Sequence, residues 1–113
     1  DADLVLATDP DADRLGCYVK DNNGEYHVLT GNMSGCLLCE YTLSQIAAKG
    51  GIPEDGEVIS SIVTTNMVAA IAKAYGAKFV EVLTGFKWIG REIVWKKKEK
   101  EPTSSVWKKV MAV

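Results

Sequence analysis

From residue 31 onward the chain alternates a helical and a strand-like hydrophobic period, and this constrains its fold more than any other feature. A helix is expected from about Ser34 to Lys49, with Leu37, Leu38, Tyr41, Gln45 and Ile46 at helical spacing and Gly50-Gly51 at its end. Glu57 to Thr65 is a β-branched run carrying Val58, Ile59, Ile62, Val63, Thr64 and Thr65. Asn66 offers an N-cap for a second helix, whose Val68, Ile71, Ala72 and Tyr75 fall at i, i+3, i+4 and i+7, and which Gly76 ends. Lys78 to Leu83 returns to strand, and Thr84-Gly85 leads into a third helix from about Phe86. This order predicts a three-layer α/β/α domain with a mixed or mostly parallel sheet and right-handed crossovers.

Residues 1–30 do not share that repeat. Asp3 to Thr8 is a nearly continuous apolar run, of the kind a strand buried on both faces carries. Leu15–Lys20 and Glu25–Leu29 are β-prone and flank Asp21-Asn22-Asn23-Gly24, whose turn chemistry predicts a β-hairpin. The hairpin reads as the remnant of a preceding domain, which divides the chain into 1–30 and 31–113.

Composition narrows the function classes. Of 113 residues, 47% are hydrophobic and 25% charged, which excludes disorder and a coiled coil. A net charge of −2 provides no general field for nucleic acid or an anionic membrane. No apolar run approaches the roughly 20 residues that span a bilayer. Asp1-Ala2-Asp3 is acidic where a secretion signal is basic, so a cytoplasmic protein is expected. Cys17, Cys36 and Cys39 are too few for a disulfide scaffold, and with His27 the only histidine they read as reduced, small apolar side chains rather than metal ligands. From Val94 the chain turns charged, with Lys96-Lys97-Lys98-Glu99-Lys100-Glu101, and a frayed or solvated tail is expected.

The strongest chemical signal is Asp9-Pro10-Asp11-Ala12-Asp13-Arg14, directly after the first strand. Carboxylates at i, i+2 and i+4 of an extended loop share one side and can converge on a hard cation. Mutual repulsion of three such charges requires something positive among them. Mg²⁺ suits an all-oxygen set and keeps positions open for phosphate or water. Arg14 adds a planar fork suited to phosphate. An EF-hand fails here, because its sixth position is Arg14 and its twelfth Lys20. An Asp-x-Asp site of the glycosyltransferase type and a solvated turn without ligand both remain compatible with the spacing.

Thr84-Gly85-Phe86-Lys87-Trp88-Ile89-Gly90 marks a strand-to-helix transition, where backbone N–H groups favour anions and Lys87 adds a mobile cation or acid/base group. Alone, the heptapeptide reads rather as a helix start with a surface lysine and two core aromatics, Phe86 and Trp88.

Together with Leu29-Thr30-Gly31-Asn32, the segments Ala7-Thr8-Asp9-Pro10-Asp11-Ala12-Asp13-Arg14-Leu15-Gly16 and Leu83-Thr84-Gly85-Phe86-Lys87-Trp88-Ile89-Gly90 resemble the α-D-phosphohexomutase superfamily, in particular its phosphoglucomutase branch. The resemblance runs from residue 1 to about 93. It implies a fragment holding the end of the family's second, metal-binding domain and most of its third. It further implies a phosphotransferase that interconverts sugar 1-phosphates and 6-phosphates through a phosphoserine and a bisphosphate intermediate. On that basis Asp9, Asp11 and Asp13 hold Mg²⁺, Arg14 positions phosphate, and Lys87 is a substrate contact or general acid/base. The implied partners are a phosphosugar of the glucose 1-phosphate class and the enzyme's other domains. The serine-bearing loop, the fourth domain's phosphate loop and a Gly-x-Glu-Glu-Ser-x-Gly sugar-recognition loop are not matched, so the isolated chain is expected to be inactive.

A shifted reading frame can encode the missing sugar loop. Joining each codon's third base to the next codon's first two, Ser105 to Ala112 can encode Gly-Met-Glu-Glu-Ser-Tyr-Gly. Trp107-Lys108 then permits only glutamate and Met111-Ala112 only glycine. We therefore expect the chain to leave the family's frame between about Ile93 and Pro102, and Lys96 to Val113 to pack poorly, an expectation that coding bases excluding glutamate across Trp107-Lys108-Lys109 would end. Two other function classes compete: a metal-dependent sugar-nucleotide transferase, and a non-catalytic binding or assembly module that forms a homodimer through an exposed apolar face.

Overall fold

In the computed structural model, residues 1–99 and 110–112 are described. They form two compact units, Asp1–Leu37 and Leu38 onward. The first unit contains β1 (Leu4–Thr8), β2 (Leu15–Lys20) and β3 (Tyr26–Leu29). These pair as one antiparallel sheet in the order β1-β2-β3, with Thr8 opposite Leu15 and Cys17 opposite Leu29. The β2–β3 hairpin is as expected. Asp21 Oδ1 accepts the backbone N–H groups of Asn23 at 2.8 Å and Glu25 at 2.9 Å, a side-chain turn that sets the hairpin.

Burial of β1 differs from expectation. All five of its residues are exposed, and Cys17 is the one buried position in β2. An apolar run records what a strand is able to bury.

Helix α1 (Gly31–Ala48) begins three residues before the expected start. The cause is Thr30, whose Oγ1 accepts the Met33 N–H at 3.3 Å, as a capping hydroxyl does. Its buried residues are Cys36, Cys39 and Leu43, while Leu37, Leu38 and Tyr41 are exposed. Both sets have helical spacing. A helix apolar on most sides does not reveal from periodicity alone which stripe is covered.

The remainder forms the α/β layer: β4 (Glu57–Ser61), α2 (Met67–Ala74), β5 (Lys78–Val82), α3 (Phe86–Glu99) and β6 (Val110–Ala112). The three strands are parallel in the order β5-β4-β6. The chain steps from β4 to β5, then back across β4 to β6. Connections of the usual right-handed sense, running in opposite directions along the sheet, would place α2 and α3 on opposite faces, as the expected α/β/α layering requires. Ile59 of β4 is fully buried against Ile89 and Ile93 of α3, with Val80 and Val82 of β5 beside them. Strand alternation turns Val58 and Ser60, both fully buried, to the other face.

Three local expectations are corrected. First, β4 stops at Ser61 rather than Thr65, because the Thr64 N–H bonds to the Ser61 carbonyl at 2.9 Å and their hydroxyls meet at 3.0 Å, closing a turn. Second, the Asn66 side chain makes no capping bond; the Met67 N–H is accepted by Thr65 Oγ1 at 3.3 Å. Third, Val110–Ala112 is not a frayed tail but pairs with β4, Val110 opposite Glu57. Of the other residues that the reading-frame expectation covers, those up to Glu99 continue α3, and 100–109 and 113 lie outside the described residues.

Candidate metal loop and phosphate contact

Strand residues rise about 3.3 Å each, so an extended loop would place Asp9 and Asp13 about 13 Å apart. The structure brings the three aspartates together by another route. Asp9 to Arg14 is the closing loop of the β1–β2 hairpin, tied by Asp9 N–H to the Arg14 carbonyl at 3.3 Å and Ala12 N–H to the Asp9 carbonyl at 3.0 Å. Ala12 takes φ 58, a left-handed conformation that costs a residue bearing Cβ about 1 kcal/mol. With the chain so reversed, one carboxylate oxygen each from Asp9, Asp11 and Asp13 lies within 4.8 Å of the others.

The positive charge the trio requires is Arg14. Its Nε donates to Asp9 Oδ2 at 2.7 Å and sits 3.4 Å from Asp13 Oδ1, while its backbone N–H reaches Asp9 Oδ1 at 3.3 Å. Desolvation acts to raise the Asp9 carboxyl, but side-chain and backbone hydrogen bonds from Arg14, with those shared with Asp13 and Asp11, outweigh it and hold it below its ordinary value. Arg14 is thus anchored within the loop, although its side chain stays 82% exposed. A tripod of carboxylates with an oxygen-only donor set fits a hard divalent cation.

A second cluster went unnoticed in the sequence. Asp21, Glu25 and His27 also present ligand atoms within 4.8 Å of one another. Here His27 Nε2 pairs with Asp21 Oδ2 at 3.0 Å, and the other Asp21 oxygen holds the turn. That hydrogen bond first, then the Glu25 N–H, lowers the Asp21 carboxyl to about 2. The only sequence signal was its position around a turn already assigned to Asp21-Asn22-Asn23-Gly24, and turn building accounts for its contacts.

Lys87 belongs to the second unit, at the start of α3 and the carboxyl end of β5. Ligands in open α/β sheets gather outside the carboxyl ends of strands. Gly85, at φ 122, turns the chain from strand to helix, and its carbonyl accepts the Trp88 N–H at 3.0 Å. The Lys87 ammonium lies 5.1 Å from the Trp88 ring centroid, and the Arg91 guanidinium carbon 5.7 Å from the same ring. Trp88 and Arg91 also line a cavity of about 390 Å³ with Val82, Leu83, Glu92 and Trp95. Among the described residues, no helix is long and apolar enough to cross a membrane.

Comparison with known proteins follows the same outline. The family described as phosphoglucomutase/phosphomannomutase, alpha/beta/alpha domain III, matches residues 30–106. The chain is similar to a phosphoglucomutase of Staphylococcus epidermidis, with 42% identity over 93 residues, covering 82% of this chain and 16% of that protein. It is also similar to a Schizosaccharomyces pombe protein named "Probable phosphoribomutase", 41% identical over 88 residues, covering 78% of this chain and 15% of that one. Among solved structures, the Aspergillus fumigatus N-acetylphosphoglucosamine mutase shares the fold at a TM-score of 0.58 and 19% identity, over 92% of this chain and 24% of that one. The chain therefore spans about a sixth of the length of the curated relatives it matches.

Proposed function

The chain belongs to the phosphoglucomutase/phosphomannomutase family, and we propose that it supplies two elements of a mutase acting on a phosphosugar: a metal-holding loop and a phosphate contact. The reaction read here interconverts a sugar 1-phosphate and 6-phosphate by way of a phosphoserine and a bisphosphate. The observation that carries the proposal is the convergence of Asp9, Asp11 and Asp13 within 4.8 Å at the end of β1.

In this reading those three carboxylates hold Mg²⁺. When bound, the ion supplies neutralisation of the charge on a phosphoryl group in transfer. Arg14 does two things from its anchored position: it offsets the repulsion within the trio, and it keeps an exposed cationic edge toward an incoming phosphate. Lys87 contacts the phosphate of the sugar, as its exposed ammonium at a strand's carboxyl end favours. Neither element carries the phosphoryl group covalently. The chain alone is therefore inactive in this proposal.

A Mg²⁺ titration followed by amide NMR shifts tests it. Saturable shifts confined to Asp9–Arg14 are expected in the wild type and at least tenfold weaker binding in Asp11→Asn, a loss of about 1.4 kcal/mol or more. Equal responses in the two proteins would reduce the trio to an ordinary acidic loop. In a coupled assay on glucose 1-phosphate with Mg²⁺, turnover by the chain itself would refute the expectation of inactivity.

A further inference from the structure

We propose that Trp88 is a positioning residue that gathers Lys87 and Arg91 onto one indole, making Arg91 the second cation of the phosphate contact. This rests on the reading of Lys87 given above. Lys87 and Arg91 are four residues apart on α3 and so neighbour each other on its surface. Like charges at that spacing repel. What holds them is the Trp88 ring, with Lys87 Nζ at 5.1 Å and Arg91 Cζ at 5.7 Å from its centroid, both inside the range of a cation–π contact.

The indole is itself held. The Trp88 backbone N–H donates to the Gly85 carbonyl at 3.0 Å, and the ring forms a wall of the cavity shared with Val82, Leu83, Glu92 and Trp95. Two cations converging on a fixed ring are pre-positioned for a doubly charged oxyanion, which relieves their repulsion on binding. A planar guanidinium beside an ammonium also provides directed N–H donors that a lone lysine lacks. The ligand class is a phosphate dianion, free or as the monoester of a sugar.

The test uses the 113-residue chain and has a ligand-free arm and a binding arm. Without ligand, the Lys87 ε-methylene and Arg91 δ-methylene protons should be shifted upfield by the indole, with the shift kept in Trp88→Phe and lost in Trp88→Leu. With inorganic phosphate and with glucose 1-phosphate as separate probes, Trp88→Leu and Arg91→Gln should each weaken binding about threefold or more, and Trp88→Phe by less than about twofold. Stronger response to the sugar ester than to phosphate assigns the site to the sugar-borne group. Methylene shifts absent from the wild type overturn the positioning role. Unchanged phosphate affinity in Arg91→Gln overturns the second cation, while weakened binding in Lys87→Gln in that case leaves the Lys87 reading standing. Should Lys87→Gln bind as the wild type does, the Lys87 reading fails and the inference fails with it.

Discussion

Ile59 is the residue on which the β4–α3 packing turns, and replacing it tests the register of the sheet. The side chain is fully buried and packs on Ile89, Ile93, Val80 and Val82. Ile59→Ala removes three carbons, a transfer loss of about 2.4 kcal/mol at about 0.8 kcal/mol each. The cavity left among side chains on two secondary-structure elements adds to this, for a total of about 3–4 kcal/mol. A domain of this size has about 5–15 kcal/mol of stability in all, so the variant should lose between about a fifth and four-fifths of it. Urea unfolding, followed by the fluorescence of Trp88 and Trp95 on α3, measures it directly. Ile62→Ala is the control, because Ile62 lies one residue beyond β4 and is 52% exposed; its cost should stay within about 0.5 kcal/mol. Ile59→Ala costing less than Ile62→Ala would mean that β4 presents its other face to α3, and the assignment of layers would fall with it.

Gly85→Ala should destabilise by more than about 1 kcal/mol, since φ 122 suits glycine alone, even though the added Cβ meets Trp88 Cδ1 at an ordinary 3.7 Å; an unchanged urea midpoint would contradict the strand-to-helix turn described. Acid should loosen the β2–β3 hairpin through Asp21. Its carboxyl is lowered from 3.8 to about 2 in the folded chain, so its stabilising contribution is complete above about pH 4 and is lost as pH falls toward 2. Cross-strand contacts between Val19 and His27, followed by NMR, should weaken over that window in the wild type and lose this dependence in Asp21→Asn; identical profiles would remove Asp21 as the cause.

The element order was legible because a strand and a helix write different periods into the sequence. The third helix starts at Phe86 as expected, and Val68 and Ala72 are the buried residues of α2. Boundaries were less legible, because threonine hydroxyls moved them. Thr30 starts α1 early, and the Ser61–Thr64 turn ends β4 before its β-branched residues run out. The aspartate trio was legible as a set of residues but not as a geometry. Alternation along an extended strand suggested convergence, whereas a closed hairpin loop with Ala12 at a positive φ produces it.

By itself, then, the sequence determined which residues carry charge and clustered carboxylate oxygens, where the chain must turn, and that parallel α/β layers follow residue 31. Tertiary structure alone decided which of two helical stripes in α1 is covered, that Arg14 lies among the carboxylates, and that Val110–Ala112 joins β4. The reason is one of range. Period and turn chemistry act between residues a few positions apart, while burial, ion pairing and strand partnership depend on groups that only the folded chain brings within contact distance.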